Sequence, residues 1–365
     1  MNMARLWTVA RLELLQRVRT VSWYVLLGVF ALVLVGVTAL AFPAFGGVVS
    51  DSGQRGSGIY STIVVITLLL VVLVSPTLSG NSLNGDRDAA TLAPVQVTLA
   101  RTSEILLGKV LAGWITGLAF AAVAAPFLVI ATFAGGVDPA VVVVSLVVLV
   151  VEIGIIAAVG VGLSGILARP LFSVAATYLV VAALVFGTLI AFGLGGAALS
   201  SEATTTYRGL QYTMDGSPEC RDGSSDCAND PSRIACAEPQ VSTYTVPRFD
   251  HVWWILAANP FVILADATPA EYDRNGYPVD LFGQITAGVR AAQIVPGLET
   301  SIDDCEPSAM QYDGGPTAQE IRAQTVPSWF VGLGVQLVLA VLLLVAAGSR
   351  TRTPARALPP GTRIA

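Results

Sequence analysis

The sequence predicts an all-α polytopic membrane protein with six transmembrane helices. Of 365 residues, 54% are hydrophobic and only 12% charged, against about 25% charged in ordinary soluble domains. Six apolar runs are each long enough to cross ~30 Å of hydrocarbon, and the polar residues collect in one loop, one long region and the two ends. The mean hydropathy of +0.71 agrees. No basic cluster with interleaved aromatics is present, so nucleic acid is not an expected partner.

Residues 1–22 read as an amphipathic helix lying in the membrane interface. At about 100° per residue, Trp7, Ala10, Leu14, Val18 and Val21 share one face. Arg5, Glu13, Gln16, Arg17 and Arg19 lie largely opposite, with Leu6, Val9 and Leu12 intruding among them. Residues 23–199 hold the first five spans. Trp23 to Phe42 is the first, and the basic residues before it and Ala39-Leu40-Ala41 near its end mimic a signal peptide. The apolar run is long for one and five spans follow, which favours a retained helix. A Gly/Ser-rich connector leads to the second span, Ile59 to Leu78. Next comes Gly80 to Lys109, the only sizeable polar stretch in the first 200 residues, carrying the chain's single lysine. The third span is Ile105 to Ala134, the fourth Ala140 to Leu167 and the fifth Leu171 to Leu199, joined by turns at Gly135-Gly136 and Arg169-Pro170. Residues 200–326 form a polar cap, 327–348 the sixth span, and 349–365 a basic, Pro-rich tail.

Charge orients the chain. With the N-terminus inside, the cytoplasmic segments hold 12 of the 20 Arg and Lys but 4 of the 25 Asp and Glu, as the positive-inside rule requires. The N-terminal helix, Gly80–Lys109, Arg169 and the tail then face the cytoplasm. All four cysteines fall in the outer cap, where disulfides persist. Four cysteines allow three connectivities; Cys220–Cys227 with Cys236–Cys305 is favoured, because the first pair closes a short local loop. Small residues recur at helical spacing, as in Gly113/Gly117/Ala121, Gly154/Ala158/Gly162 and Gly187/Ala191/Gly195. Such stripes let helices approach closely in lipid.

Catalytic constellations are absent, and no metal site is expected. His251, the only histidine, sits beside Trp253-Trp254 and reads as an interfacial residue. Asp215, Asp222, Asp226 and Asp230 depart from calcium-loop spacing and read as solvated surface. A phosphate-cradling loop is missing too. Gly108-Lys109 follows Ser103 where that motif needs Gly, and precedes Val110 rather than Ser or Thr. Glu152 lies near the middle of the fourth span, where a carboxyl is costly. Either it is protonated and hydrogen-bonded to a neighbour, or it lines a translocation path or couples protons. Residues 251–266 are apolar but short, and Asn259-Pro260-Phe261 breaks them. An outer re-entrant or interfacial hairpin is expected there rather than a seventh span.

An Arg-rich amphipathic helix, two spans, a charged loop containing Thr91-Leu92 and ending Arg101-x-x-Glu104-Ile105-Leu106-Leu107-Gly108-Lys109, four more spans and an outer Asn259-Pro260-Phe261 hairpin form one pattern. Over residues 1–200 and 251–348 this resembles the membrane (permease) subunit of type-2 ATP-binding-cassette (ABC) transporters, a mostly exporting bacterial class. The resemblance implies that the loop between spans two and three carries a coupling helix docked on a separate ATPase subunit. It implies Asp86, Arg87, Asp88, Thr91, Leu92, Arg101, Glu104, Gly108 and Lys109 as the coupling positions. It further implies a second permease chain, a cell-membrane location with both termini cytoplasmic, and no cofactor on this chain, ATP and magnesium belonging to the partner. Residues 200–250 and 267–326 look like insertions relative to a minimal permease. The alternative is a non-transporting receptor or scaffold acting through its acidic outer cap. A secondary transporter using Glu152 is disfavoured by the lack of inverted repeats.

Overall fold

The computed structural model describes residues 2–48, 55–88, 101–222, 227, 233–305 and 315–351, without the side chains of 46–48 and 87–88. Helix α1 (Met3–Val18) starts where the Asn2 side chain accepts from the Ala4 N–H at 3.0 Å. There follow α2 (Val21–Val48), α3 (Arg55–Ser79), the short α4 (Ser82–Asp88), α5 (Thr102–Phe133) and α6 (Pro139–Ile166). Helix α6 is started by Asp138, which accepts from Ala140 N–H at 2.7 Å, and by Pro139 at its first position, where a missing N–H costs nothing. Helix α7 (Pro170–Ala182), a π-helical turn (Ala183–Gly187) and α8 (Thr188–Ala198) run on as one span. After a cap comes α13 (Trp329–Thr351), numbered past the cap helices α9–α12 defined below. Among the described residues, six helical segments are thus long and apolar enough to cross a membrane: Val21–Phe45, Arg55–Asp86, Thr102–Phe133, Pro139–Ile166, Pro170–Ala198 and Trp329–Thr351.

The fourth span, α6, is the axis of the bundle. From Glu152 to Gly165 it is buried at nearly every position, because α3, α5 and α13 all pack on it. Close approach is achieved by small residues. A Cβ on Gly162 would come within 2.8 Å of Leu343 Cβ on α13, so α6 and α13 can meet at this depth only through a bare glycine. Between apolar helices in lipid, such contact and interhelical hydrogen bonds supply the attraction. Tyr60 Oη and Ser145 Oγ, 3.0 Å apart and buried, add one bond between α3 and α6.

The region between the fifth and sixth spans corrects the all-α expectation. It holds a three-stranded sheet in the order β2-β1-β3, with β1 (Ser201–Arg208) antiparallel to β2 (Gln240–Val246) and parallel to β3 (Glu299–Asp303). Apart from Ser242, Thr204-Thr205-Thr206-Tyr207 and Val241-Ser242-Thr243-Tyr244-Thr245-Val246 are β-branched or aromatic, the residues that suit a pleated surface. Both favoured disulfides are present, Cys220–Cys227 with Cα atoms 5.8 Å apart and Cys236–Cys305 at 6.1 Å.

Residues 251–266 form two short helices, α9 (Trp254–Ala257) and α10 (Pro260–Ala267), broken at Asn259. They are not surface elements: Leu256, Ile263 and Leu264 are buried. Asn259 caps α10 through Phe261 N–H at 3.0 Å, and its Nδ2 donates to Val185 O at 2.8 Å inside the π-turn of the fifth span. Helix α11 (Leu281–Ala291) and the short α12 (Ala318–Gln324) complete the cap. Asp266 at the end of α10 holds this end of the molecule together. It pairs with Arg290 Nε at 2.7 Å and accepts from Ser328 N–H at 2.6 Å and Trp329 N–H at 3.2 Å, capping α13.

Candidate functional site: a charged joint under the polar loop

The loop after the second span begins at Gly80, and each of its first residues is gripped by a different helix. Gly80 O accepts from Ser173 Oγ of α7 at 2.5 Å. The first-turn N–H groups of α4, Leu83 and Asn84, donate to Ser164 Oγ of α6 at 3.0 and 3.2 Å. A helix this short has no internal partner for those donors, so a serine from another span takes the role of a cap. Leu83 itself is fully buried against Val161 and Ala347.

Lys109, about two turns into α5, is the centre of the joint. Its Nζ pairs with Glu13 of α1, lies 2.6 Å from Asp86 Oδ2 of α4 and donates to Ser82 O at 2.8 Å. Three N–H donors meet three acceptors from two helices, which a compact ammonium can do and a planar guanidinium cannot. Lys109 is only 2% exposed, whereas Glu13 and Asp86 keep 15% and 28%. The Glu13 carboxylate has further company: Arg17 Nη2 lies 4.0 Å from it. Arg17 also donates to Leu78 O at 2.8 Å and to Thr116 Oγ1 at 3.1 Å, tying α1 to α3 and α5.

At the start of α5 the Glu104 carboxyl accepts from Asn2 N–H at 2.6 Å and from Arg101 N–H at 3.0 Å, fixing both chain ends that meet there. Gly108 permits the contact, because a Cβ would come within 2.9 Å of Val9 Cβ and 3.0 Å of Leu6 O. The face of α1 turned to the bundle therefore carries Leu6, Val9, Ala10, Glu13 and Arg17. Trp7 and Val18, on the apolar face read from the sequence, are exposed to about half of their surface and are free to meet lipid. Leu6 and Val9, read as intruders on the polar side, lie on the face that packs on the bundle, while Leu12 stays exposed.

The sequence-predicted positions thus divide. Asp86, Glu104, Gly108 and Lys109 are brought into one joint and are engaged within the chain, while Arg101 is exposed. Thr91 and Leu92, the side chains of Arg87 and Asp88, residues Asp226 and Asp230, and the tail from residue 352 lie outside the described residues. Glu152 is some distance along the spans, in a cavity it shares with Pro260 of the broken hairpin and Gln336 of α13. His251 is exposed, its Nε2 3.8 Å from Asp250. Sequence reasoning missed Glu13, Arg17, Ser164, Ser173 and Gln336. Two of them carried a signal: Glu13 is the single acid of the N-terminal helix, and Gln336 the single amide of the sixth span.

What the joint can do is mechanical. A rigid-body displacement of α4 would be passed by ion pairs to α1 and α5 and by serine hydrogen bonds to α6 and α7. No family model and no curated protein matches the chain, and the reading of the joint rests on its own geometry.

Proposed function

We propose that the chain is the membrane subunit of an ABC transporter of the exporting type-2 class it resembles, with residues 80–109 as its coupling element. In this reading two such chains, identical or paralogous, enclose the path, and a separate ATPase supplies the energy. The observation that carries it is the Lys109 joint, in which Glu13, Asp86 and Ser82 O converge on one buried ammonium. A loop of no mechanical use needs no such attachment to four spans and the interfacial helix. A loop that receives a push does. ATP chemistry belongs to the partner, since no phosphate-cradling loop exists in this sequence. The N-terminal helix, the loop and the tail are cytoplasmic in this account, and the disulfide-bearing cap is outside.

The test is affinity purification from the native membrane followed by reconstitution. A P-loop ATPase should co-purify and be stimulated by this chain. Arg101→Glu, an exposed change, should weaken that capture several-fold without lowering thermal stability. If no such ATPase is recovered, and deleting 205–245 abolishes function while loop changes do not, the receptor or scaffold alternative replaces this reading.

A further inference from the structure

A second polar site lies inside the bundle, and its composition is unbalanced. Glu152 of α6 is fully buried, and neither carboxyl oxygen has a hydrogen-bond partner among the described residues. Gln336 of α13 is 1% exposed. Its Nε2 donates to Ala258 O at 3.0 Å, in the break between the two hairpin helices, which leaves its Oε1 also without a partner. Both side chains line one cavity of about 10 Å³, at the lower limit for a single water molecule. Three acceptor oxygens therefore converge on a space whose one amide group, that of Gln336, already donates to Ala258 O.

The remaining walls supply no donor. Val72 of the second span, Val181 of the fifth, Pro260 of the hairpin and Ile156 of α6 itself are aliphatic, and no charged or titratable side chain besides Glu152 lines the cavity. A buried ionised carboxyl with no counter-charge is strongly disfavoured. Two kinds of occupant could correct the imbalance, a proton or a metal cation. Hard cations demand about six or more oxygen ligands, and this site offers three in a cavity with little room for extra water. A proton needs no further ligands. On Glu152 it turns one acceptor into an O–H donor facing a free amide oxygen.

We propose that Glu152 and Gln336 form a proton-binding site in which the Glu152 carboxyl, taking one proton from water, donates to Gln336 Oε1 directly or through one water. The bound proton closes the only polar link at this depth among the described residues between α6 and α13. Because Gln336 also holds Ala258 O, the link extends to the break at Asn259–Pro260. This inference stands on the cavity alone and does not depend on the transporter reading.

Infrared difference spectroscopy on the full chain in lipid vesicles, with glutamate carboxyl groups carbon-13 labelled, tests it at neutral pH. A carboxylic-acid carbonyl band should be present, be lost in Glu152→Gln and shift towards the position of a free acid in Gln336→Leu. Glu152→Gln keeps the shape of the side chain. Should that variant fail to fold, the shift in Gln336→Leu decides the matter. Loss of a carboxylate band instead of an acid band in Glu152→Gln would overturn the proposal. So would an acid band unmoved by Gln336→Leu, or one abolished by adding sodium ions, which would assign the site to a metal cation.

Discussion

Lys109 shows how one residue can set the geometry of a whole face. Its ammonium satisfies Glu13, Asp86 and Ser82 O while almost fully buried, so removing it strands two carboxylates. Lys109→Ala is expected to cost about 3 kcal/mol, the lower end for breaking a buried pair, because Asp86 remains partly hydrated. Thermal unfolding in detergent or nanodiscs would read this as a clear loss of midpoint. Lys109→Met combined with Glu13→Gln should be less harmful than the sum of the single changes, by about 1–3 kcal/mol of coupling. Additivity would mean that the two groups do not interact. Asp280 gives a prediction of opposite character on the cap. Its Oδ1 caps α11 through Gly283 N–H at 2.8 Å while Oδ2 is buried without a partner among the described residues. Burial pushes this carboxyl up to about 7, Gly283 N–H pulls it down, and Glu271 adds to the rise. The fold therefore favours the neutral acid over the range from its ordinary 3.8 to about 7. Stability from this group is present at acid pH and is lost as pH rises through the folded value. Asp280→Asn should accordingly gain on the wild type as pH rises from about 4 to about 7, and hold that gain above it. A stability difference that does not change with pH would refute it.

At the scale of elements, what was legible in the sequence depended on how much apolar length an element carries. The six spans announce themselves because hydrocarbon demands continuous apolar helix, and their ends fall within a few residues of the expected ones, except that the second segment continues through α4 to Asp86. The disulfide pairing followed from local spacing. The sheet was not legible, because β1 is a polar, half-buried strand and β2 an exposed one, and their pairing joins residues 33 to 95 positions apart in the chain. Helix α1 was legible as a helix, but its contact with the bundle was not. Its partner is a charged joint, so the packing face mixes Leu6 and Val9 with Glu13 and Arg17, and an apolar criterion does not pick it out. The break at Asn259-Pro260 was visible, but its role was not. Asn259 reaches a carbonyl freed by the π-turn of another span, which no local pattern encodes. Asn259→Ala would remove both the cap of α10 and that bond. A loss of about 1–2 kcal/mol is expected for the cap alone, and Asn259→Asp should recover the cap but not the donor to Val185 O. If the Asp variant were as stable as the wild type, the bridge to the fifth span would carry no weight.

Over the whole molecule, the two ends of the bundle are built differently. One end is an ion-paired joint of α1, α4 and α5, completed by serines from α6 and α7. The other is a cap in which Asp266, Arg290 and Ser328 join hairpin, cap helix and sixth span. Helix α6 runs between them with glycines against its neighbours and Glu152 along its length. Rigid attachment at both ends suits a protein whose spans move as units, and under the proposed function the push enters at the loop. Breaking the cap disulfide Cys236–Cys305 with serines should lower stability by about 2–4 kcal/mol and leave recruitment of the ATPase intact, since that bond lies at the opposite end. If residues 80–109 dock on an ATPase as proposed, site-specific photocrosslinking from position 92 in native membranes should yield a covalent adduct with a P-loop ATPase, in an amount that changes when ATP is added. An unbroken absence of such an adduct, with an efficient crosslinker and the protein correctly folded, would contradict the proposal.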